Sequence, residues 1–209
     1  MTPDAPNGRF ELLDWKRRVF ALYAEVRATP DRRAGWTRWR SVRDELFATH
    51  PQSPIPAEGR PGFGGLPLFD HDSGYRVLAE IEPAEPERYD IATSGDGTYG
   101  YIRFAVARFE LGGAELALEL YWLDGYGGGL FVPFRDATAG SETYGAGRYL
   151  LDTVKGSDLG VADDGRLVLD FNLAYNPSCA YDPKWVCPLA PPPNRLDVPV
   201  RAGEQAPPR

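Results

Sequence analysis

The chain has 209 residues, of which 43 % are hydrophobic and 25 % are charged. These values are ordinary for a globular protein of one domain and exclude a disordered chain. The net charge of −7 repels nucleic-acid phosphates, so we expect no nucleic-acid partner. The sequence shows neither a secretory signal pattern nor the run of about 20 apolar residues that a membrane helix needs. We therefore expect a cytoplasmic protein with no membrane partner.

The N-terminal part predicts a helical head over residues 10–50, preceded by a loose tail over residues 1–9. Apolar residues recur at steps of three and four over residues 10–28, which is typical of a helix with one buried face. Pro30 ends this helix, because the residue before a proline avoids helical geometry. Residues 36–48 predict a second helix. The head also carries five arginines that we interpret as a solvated helix face: Arg32, Arg33, Arg38, Arg40 and Arg43.

From Leu66 onward the apolar period changes to two, which indicates strands and defines a β body over residues 63–172. The clearest element is a hairpin, since Gly112-Gly113 supplies the positive φ angles that a two-residue turn needs. Short strands at this spacing predict an antiparallel meander that closes as a barrel or packs as a sandwich. The fold class is therefore α+β, mainly β. The predicted strands cover residues 75–82, 88–93, 98–111, 114–123, 130–134, 148–154 and 166–172.

Residues 173–203 combine many prolines with large apolar side chains such as Tyr181 and Trp185. Disordered proline-rich segments seldom carry this much apolar bulk. We therefore expect an ordered, irregular strap that packs on the sheet, followed by a frayed tail over residues 204–209. The whole chain, residues 1–209, then forms a single domain.

Two cysteines, Cys179 and Cys187, lie in the expected strap. Two buried thiols are the favoured interpretation, and a disulfide that holds the strap is the alternative. A nucleophilic cysteine would need a lowered pKa. Zinc sites use closely paired cysteines, and only His50 and His71 could add nitrogen ligands, so we predict no metal site. The sequence does not identify a cofactor, which stays unknown.

Polar residues are concentrated in the C-terminal third. Asp170 and Asn172 share one face of the last predicted strand, and Arg148 lies on the strand before it. If these faces turn inward, they form a pocket in which Arg148 binds a carboxylate or phosphate. The alternative, which the pattern alone favours, is a solvated sheet face together with side chains that satisfy backbone groups of the strap.

Several short segments together carry the signature of a known family, the most distinctive being Tyr175-Asn176-Pro177-Ser178-Cys179. The chain resembles the uncharacterised bacterial family DUF1684 over most of residues 36–204. The resemblance implies that the polar residues of the C-terminal third belong to the family signature. This strengthens the hypothesis that they share a pocket. It implies no reaction, cofactor or substrate. The other matching segments are residues 39–44, 50–54, 63–66, 143–150, 169–172, 180–181, 187–189, 194–196 and 202–204.

Three functions follow as hypotheses. The first is a small-molecule pocket in the β body, for an anionic ligand and with catalysis left open. The second is a non-catalytic interaction or structural module that docks a partner through the tryptophan-rich head or the strap. The third is a lipocalin-like carrier of an apolar ligand. For the first, the catalytic candidates are Asp170 and Cys179, and the ligand-binding candidates are Arg148, Tyr144, Asn172, Asn176 and Asn194.

Overall fold

The computed structural model describes residues 6–208. Two helices are followed by six strands and several 3₁₀ turns, which confirms the α+β, mainly β class. The helices are α1 (Pro6–Ala28) and α2 (Arg32–Thr49). The strands are β1 (Arg76–Ala92), β2 (Thr98–Leu111), β3 (Ala114–Leu123), β4 (Leu130–Phe134), β5 (Arg148–Asp152) and β6 (Leu167–Asp170).

Both helices begin earlier than predicted. Residues 1–5 of the expected loose tail lie outside the described residues, but residues 6–9 are helical. A proline is tolerated at the first helical position because its missing N–H would have no helical partner there. The second helix begins at Arg32 because Asp31 caps it, and the Asp31 carboxylate accepts a hydrogen bond of 3.1 Å from the Ala34 N–H.

The strands form one antiparallel sheet in the order β5-β4-β3-β2-β1-β6. The sheet curls into a nearly closed barrel, which decides between the barrel and the sandwich. The predicted hairpin is confirmed, with φ values of 60° at Gly112 and 82° at Gly113. The first two predicted strands are in fact one strand, β1, whose pairing with β2 shifts register between Pro83 and Glu87. Such an irregularity accommodates prolines that cannot donate to the ladder.

One end of the barrel is formed by the start of β2, the end of β3, the start of β4 and the end of β5. The register shows this directly, because Tyr101 pairs with Leu123 and Phe131 pairs with Asp152. A cluster of aromatic and aliphatic side chains packs near this end of the barrel. We call this end the barrel mouth. The cluster consists of Ile91, Tyr101, Tyr121, Phe131 and Tyr149.

Residues 171–208, here called the C-terminal segment, run through 3₁₀ turns at Phe171–Leu173, Ser178–Ala180 and Pro192–Asn194. The expected fraying of residues 204–209 is wrong for Glu204, which is fully buried. The Glu204 carboxylate pairs with the Arg43 guanidinium, so Arg43 is not part of a solvated helix face. A buried ion pair holds both side chains in place because either charge alone would be costly to bury.

Candidate functional site

The site residues predicted from sequence do not converge on one site. Arg148 is buried at the start of β5, and its guanidinium donates to the carbonyls of Val200 (2.9 Å), Ala202 and Glu204 (3.1 Å). It also pairs with Asp136 at 3.3 Å. The described cavities are not lined by Arg148. Arg148 therefore holds the C-terminal segment through backbone carbonyls.

The two asparagines of the C-terminal segment also satisfy backbone groups. Asn194 accepts from the Glu119 N–H at 2.8 Å and donates to the carbonyls of Glu119 (3.0 Å) and Pro133 (2.7 Å). Asn176 donates through its side chain to the Gln205 carbonyl at 2.8 Å. These bonds satisfy backbone groups that have no sheet partner in this irregular segment. This is the role that the sequence pattern offered as the alternative to a ligand pocket. On the predicted sheet face, Arg148, Asp170 and Asn172 are buried, so the expected solvated sheet face is wrong.

Asp170 and Asn172 lie together beside a cleft of about 450 Å³ between α2 and the β1–β6 edge, and Asp170 lines it. Asn172 donates to Asp170 through both its backbone N–H (3.0 Å) and its side chain (2.9 Å). Arg76 and Arg32 line the same cleft, and Arg76 lies 3.8 Å from the Asp170 carboxylate. Burial raises the pKa of Asp170, against the opposing effect of these donors and of Arg76.

A second cavity, of about 390 Å³, lies at the barrel mouth. Its walls come from α1, from the strand ends at this end of the barrel and from the C-terminal segment. Its lining is mainly apolar and aromatic, and Leu12, Tyr99 and Val186 are 39 %, 44 % and 50 % exposed. The remaining apolar and aromatic lining residues are Trp15, Pro54, Tyr101, Leu123, Phe131, Val154, Trp185 and Pro188.

Three charged residues line this mouth cavity: Lys16, Lys155 and Asp152. Lys155 lies 3.4 Å from the buried carboxylate of Asp152, while its own side chain is 55 % exposed. Among the described residues, Lys16 forms no ion pair with a carboxylate. The lining therefore carries one more positive charge than negative charge, located on lysines that reach solvent.

The two thiols lie beside the mouth cavity. Cys187 is buried and lines it, while Cys179 is partly exposed next to the lining residue Ser178. The Tyr144 hydroxyl lies 3.8 Å from the Cys179 sulfur. Hydrogen bonds from Cys187, Ser94 and Tyr144 lower the pKa of Cys179 to about 6, in spite of partial burial. Tyr144 and Cys179, two of the predicted site residues, are thus brought together.

The comparisons with known proteins identify the family. The family model described as "Protein of unknown function (DUF1684)" matches residues 61–205. The chain belongs to the DUF1684 family. A similar solved structure is the solution NMR structure of the uncharacterised protein from gene locus rrnAC0354 of Haloarcula marismortui, at 43 % identity and a TM-score of 0.58. That match covers 79 % of this chain and 89 % of the other chain. No curated protein matches.

The DUF1684 match includes most of the mouth cavity but not its α1 wall, which precedes residue 61. Sequence reasoning missed Lys155, because one lysine three residues from one aspartate resembles an ordinary strand end. The only usable signal was in β2, where Tyr99 and Tyr101 share one face by alternation. That pattern indicates an aromatic surface but does not say what faces it.

Two further properties bear on the function of this DUF1684 chain. Among residues 6–208, histidine, cysteine, aspartate and glutamate side chains form no group of three or more that could hold a metal ion. In the same part of the chain, no helix combines the length and the apolar character needed to cross a bilayer.

Proposed function

We propose that the protein binds a small amphipathic acid in the mouth cavity, with an aromatic or aliphatic body inside and an acidic group at the rim. One observation carries this proposal. Exposed apolar side chains from three distant parts of the chain, Leu12, Tyr99 and Val186, line the same cavity. Large apolar side chains are normally exposed singly, whereas a shared concave surface indicates a ligand site.

The size and shape of the cavity support a ligand of limited size. A volume of about 390 Å³ lies within the usual range of roughly 300–1,000 Å³ for small-molecule sites. The aromatic cluster shares Tyr101 and Phe131 with the lining of the cavity, so large rings pack against one of its walls. We therefore place the ligand in the mouth cavity, and the two lysines of its lining support an acidic ligand over the apolar ligand of a lipocalin-like carrier.

The charges of the lining support an acidic ligand group. Lys155 and Lys16 supply cations at the rim, and Lys155 keeps more than half of its side chain accessible. A lysine binds a carboxylate or sulfonate as a flexible point charge and needs no fixed geometry. This proposal keeps the anionic ligand expected from sequence but moves the cation from Arg148 to Lys155.

The test is calorimetric titration of the protein with naphthoate and with its neutral analogue naphthamide. We expect Lys155→Gln to weaken naphthoate binding by about fivefold, equivalent to about 1 kcal/mol for a partly exposed charge pair. Naphthamide binding should change little, because the apolar contacts remain.

The matched control is Lys184→Gln. Lys184 is 56 % exposed and pairs with Asp182 at 2.7 Å, so it resembles Lys155 in both respects, but it does not line the cavity. Equal losses of affinity in the two variants, or no binding of either naphthalene compound, would remove the support for this site and favour the non-catalytic interaction module.

A second candidate function rests on the cleft at Asp170. Arg76 is held beside Arg32, and burial followed by the charge of Arg32 lowers the pKa of Arg76. A bound phosphate would relieve this repulsion, and Asp170 would then lie next to it as an acid or base. Calorimetry with inorganic phosphate tests this: binding that Arg76→Gln abolishes supports an anion cleft, and no binding by the wild type refutes it.

A further inference from the structure

The mouth cavity is lined by a buried carboxylate that has few hydrogen-bond partners within the protein. The Asp152 side chain is 8 % exposed, and its carboxylate lies 3.4 Å from the Lys155 ammonium. Apart from Lys155, no group of residues 6–208 donates a hydrogen bond to this carboxylate. A carboxylate offers about four acceptor positions, and buried polar groups normally have partners. Asp152 can therefore accept a hydrogen bond from a ligand in the cavity that it lines.

A tyrosine hydroxyl of the same cavity also has no partner in the described part of the chain. The Tyr101 side chain is 6 % exposed and lines the mouth cavity, but its hydroxyl makes no hydrogen bond with any of residues 6–208. The other tyrosines of the aromatic cluster differ. The Tyr121 hydroxyl donates to the Glu119 carboxylate at 2.5 Å, and the Tyr149 hydroxyl donates to the Pro188 carbonyl. Because a buried tyrosine hydroxyl normally has a partner, the Tyr101 hydroxyl is available to a ligand.

The sheet register brings these two residues to the same face of the barrel wall. Asp152 pairs with Phe131 across β4 and β5, and directly paired residues direct their side chains to the same face. The Tyr101 ring stacks on the Phe131 ring, with the ring centres 5.1 Å apart. A ligand that packs on these rings therefore meets the Asp152 carboxylate next to the Lys155 ammonium.

We propose that the ligand of the mouth cavity carries a hydrogen-bond donor on the carbon next to its carboxylate, as a 2-hydroxy or 2-amino acid does. The Lys155 ammonium and the Asp152 carboxylate offer a donor and an acceptor only 3.4 Å apart. In such an acid the carboxylate and the neighbouring hydroxyl or amine are similarly close, so each faces its complementary partner. The Tyr101 hydroxyl donates a further hydrogen bond to the ligand carboxylate. This inference rests on the proposed function, because it specifies the ligand of the same cavity.

The test is calorimetric titration with three compounds that share a naphthyl body and a carboxylate. Naphthylpropanoate has no donor next to the carboxylate, naphthyllactate has a hydroxyl there and naphthylalanine has an ammonium there. We expect the wild type to bind the better of the two donor compounds about tenfold more tightly than naphthylpropanoate, as for a hydrogen bond to a charged group. The compound that binds more tightly, naphthyllactate or naphthylalanine, identifies the class of acid.

Asp152→Ala should bind naphthylpropanoate and the donor compounds with similar affinity, because no acceptor remains. The comparison within one variant isolates Asp152, since all three compounds present the same carboxylate to the lysines. The matched control is Asp182→Ala, which should keep the tenfold preference. The Asp182 side chain is 14 % exposed and pairs with Lys184 at 2.7 Å, but it does not line the cavity.

The tyrosine has a different expected signature. Tyr101→Phe should weaken the binding of all three compounds by a similar factor, while Tyr126→Phe, at a fully exposed tyrosine, should not. Circular dichroism shows whether each variant folds, and the wild-type comparison decides the matter even where one does not. If naphthylpropanoate binds and neither donor compound binds more tightly, this inference alone is overturned. If none of the three compounds binds, the proposed function is overturned as well.

Discussion

At the level of single residues, the most consequential contact is the ion pair between Arg43 and Glu204, which joins α2 to the end of the chain. The Arg43 guanidinium lies over the rings of Trp39 and Tyr175, each at 4.9 Å from the ring centre. The Glu204 carboxylate also accepts from the Asn176 N–H at 2.7 Å and from the Tyr181 hydroxyl at 2.9 Å. Both charges are thus buried and fully partnered.

Removing one partner should leave the other charge buried alone. We expect Glu204→Gln to lower the free energy of unfolding by about 3–5 kcal/mol, measured by urea denaturation. The control is Glu142→Gln, which breaks the exposed ion pair with Arg201 and should leave the midpoint nearly unchanged. Similar midpoints for the two variants would mean that the buried pair does not stabilise the fold.

The sequence predicted the role of each polar residue less well than its presence at a special position. The sequence pattern predicts that Arg148, Asn176 and Asn194 bind a ligand. Each instead satisfies buried backbone carbonyls or N–H groups. A polar residue that serves a ligand and one that serves an irregular backbone have the same one-dimensional pattern. Only the position of the partner carbonyls distinguishes them.

At the level of elements, the turn at Gly203 requires glycine for two reasons. Its φ is 76°, and a Cβ would lie 2.5 Å from the Ala174 carbonyl oxygen and 2.7 Å from that of Phe171. Gly165 has a similar φ of 86° but open space around a Cβ. Alanine substitutions at the two positions can therefore be compared to separate the cost of backbone strain from the cost of steric overlap.

We expect Gly165→Ala to cost about 1–2 kcal/mol from the left-handed backbone alone. Gly203→Ala should cost clearly more, because carbonyl oxygens of the backbone cannot move as a flexible side chain can. Thermal denaturation followed by circular dichroism measures both. If the two substitutions lower the melting temperature equally, the close packing of the C-terminal segment at Ala174 is not as described.

Elements that follow from a local sequence pattern were predicted well. Elements whose ends and faces depend on tertiary contacts were not. The hairpin at Gly112-Gly113 and the two helices follow from periodicity and turn chemistry. Strands β5 and β6 are buried at every position, so alternation could not assign their faces or their ends. The continuity of β1 through its register shift is likewise a property of its pairing with β2.

At the level of the whole molecule, residues 200–204 connect the end of the chain to α2 and β5. Val200, Ala202 and Glu204 supply carbonyls to Arg148, and Glu204 supplies the carboxylate to Arg43. Deleting residues 200–209 should therefore prevent folding, seen as loss of dispersed amide signals in NMR spectra. Deleting residues 207–209 keeps all these contacts and should give a folded protein. A folded chain ending at residue 199 would contradict this account.

The mouth cavity is also a property of the whole molecule. Its walls include Leu12, Tyr99, Lys155 and Val186, which are far apart in sequence. No short motif joins them, because the cavity exists only after α1 and the C-terminal segment have closed on the end of the barrel. The sequence predicted an antiparallel meander that closes as a barrel or packs as a sandwich, but it did not predict that these residues meet.

Titration of isotope-labelled protein with naphthoate, followed by amide NMR, tests the central claim most directly. We expect saturable shifts concentrated at Tyr99, Leu123, Lys155 and Val186 around the mouth cavity. Absence of shifts, or shifts centred on Arg76 in the cleft instead, would contradict the assignment of the mouth cavity as the binding site.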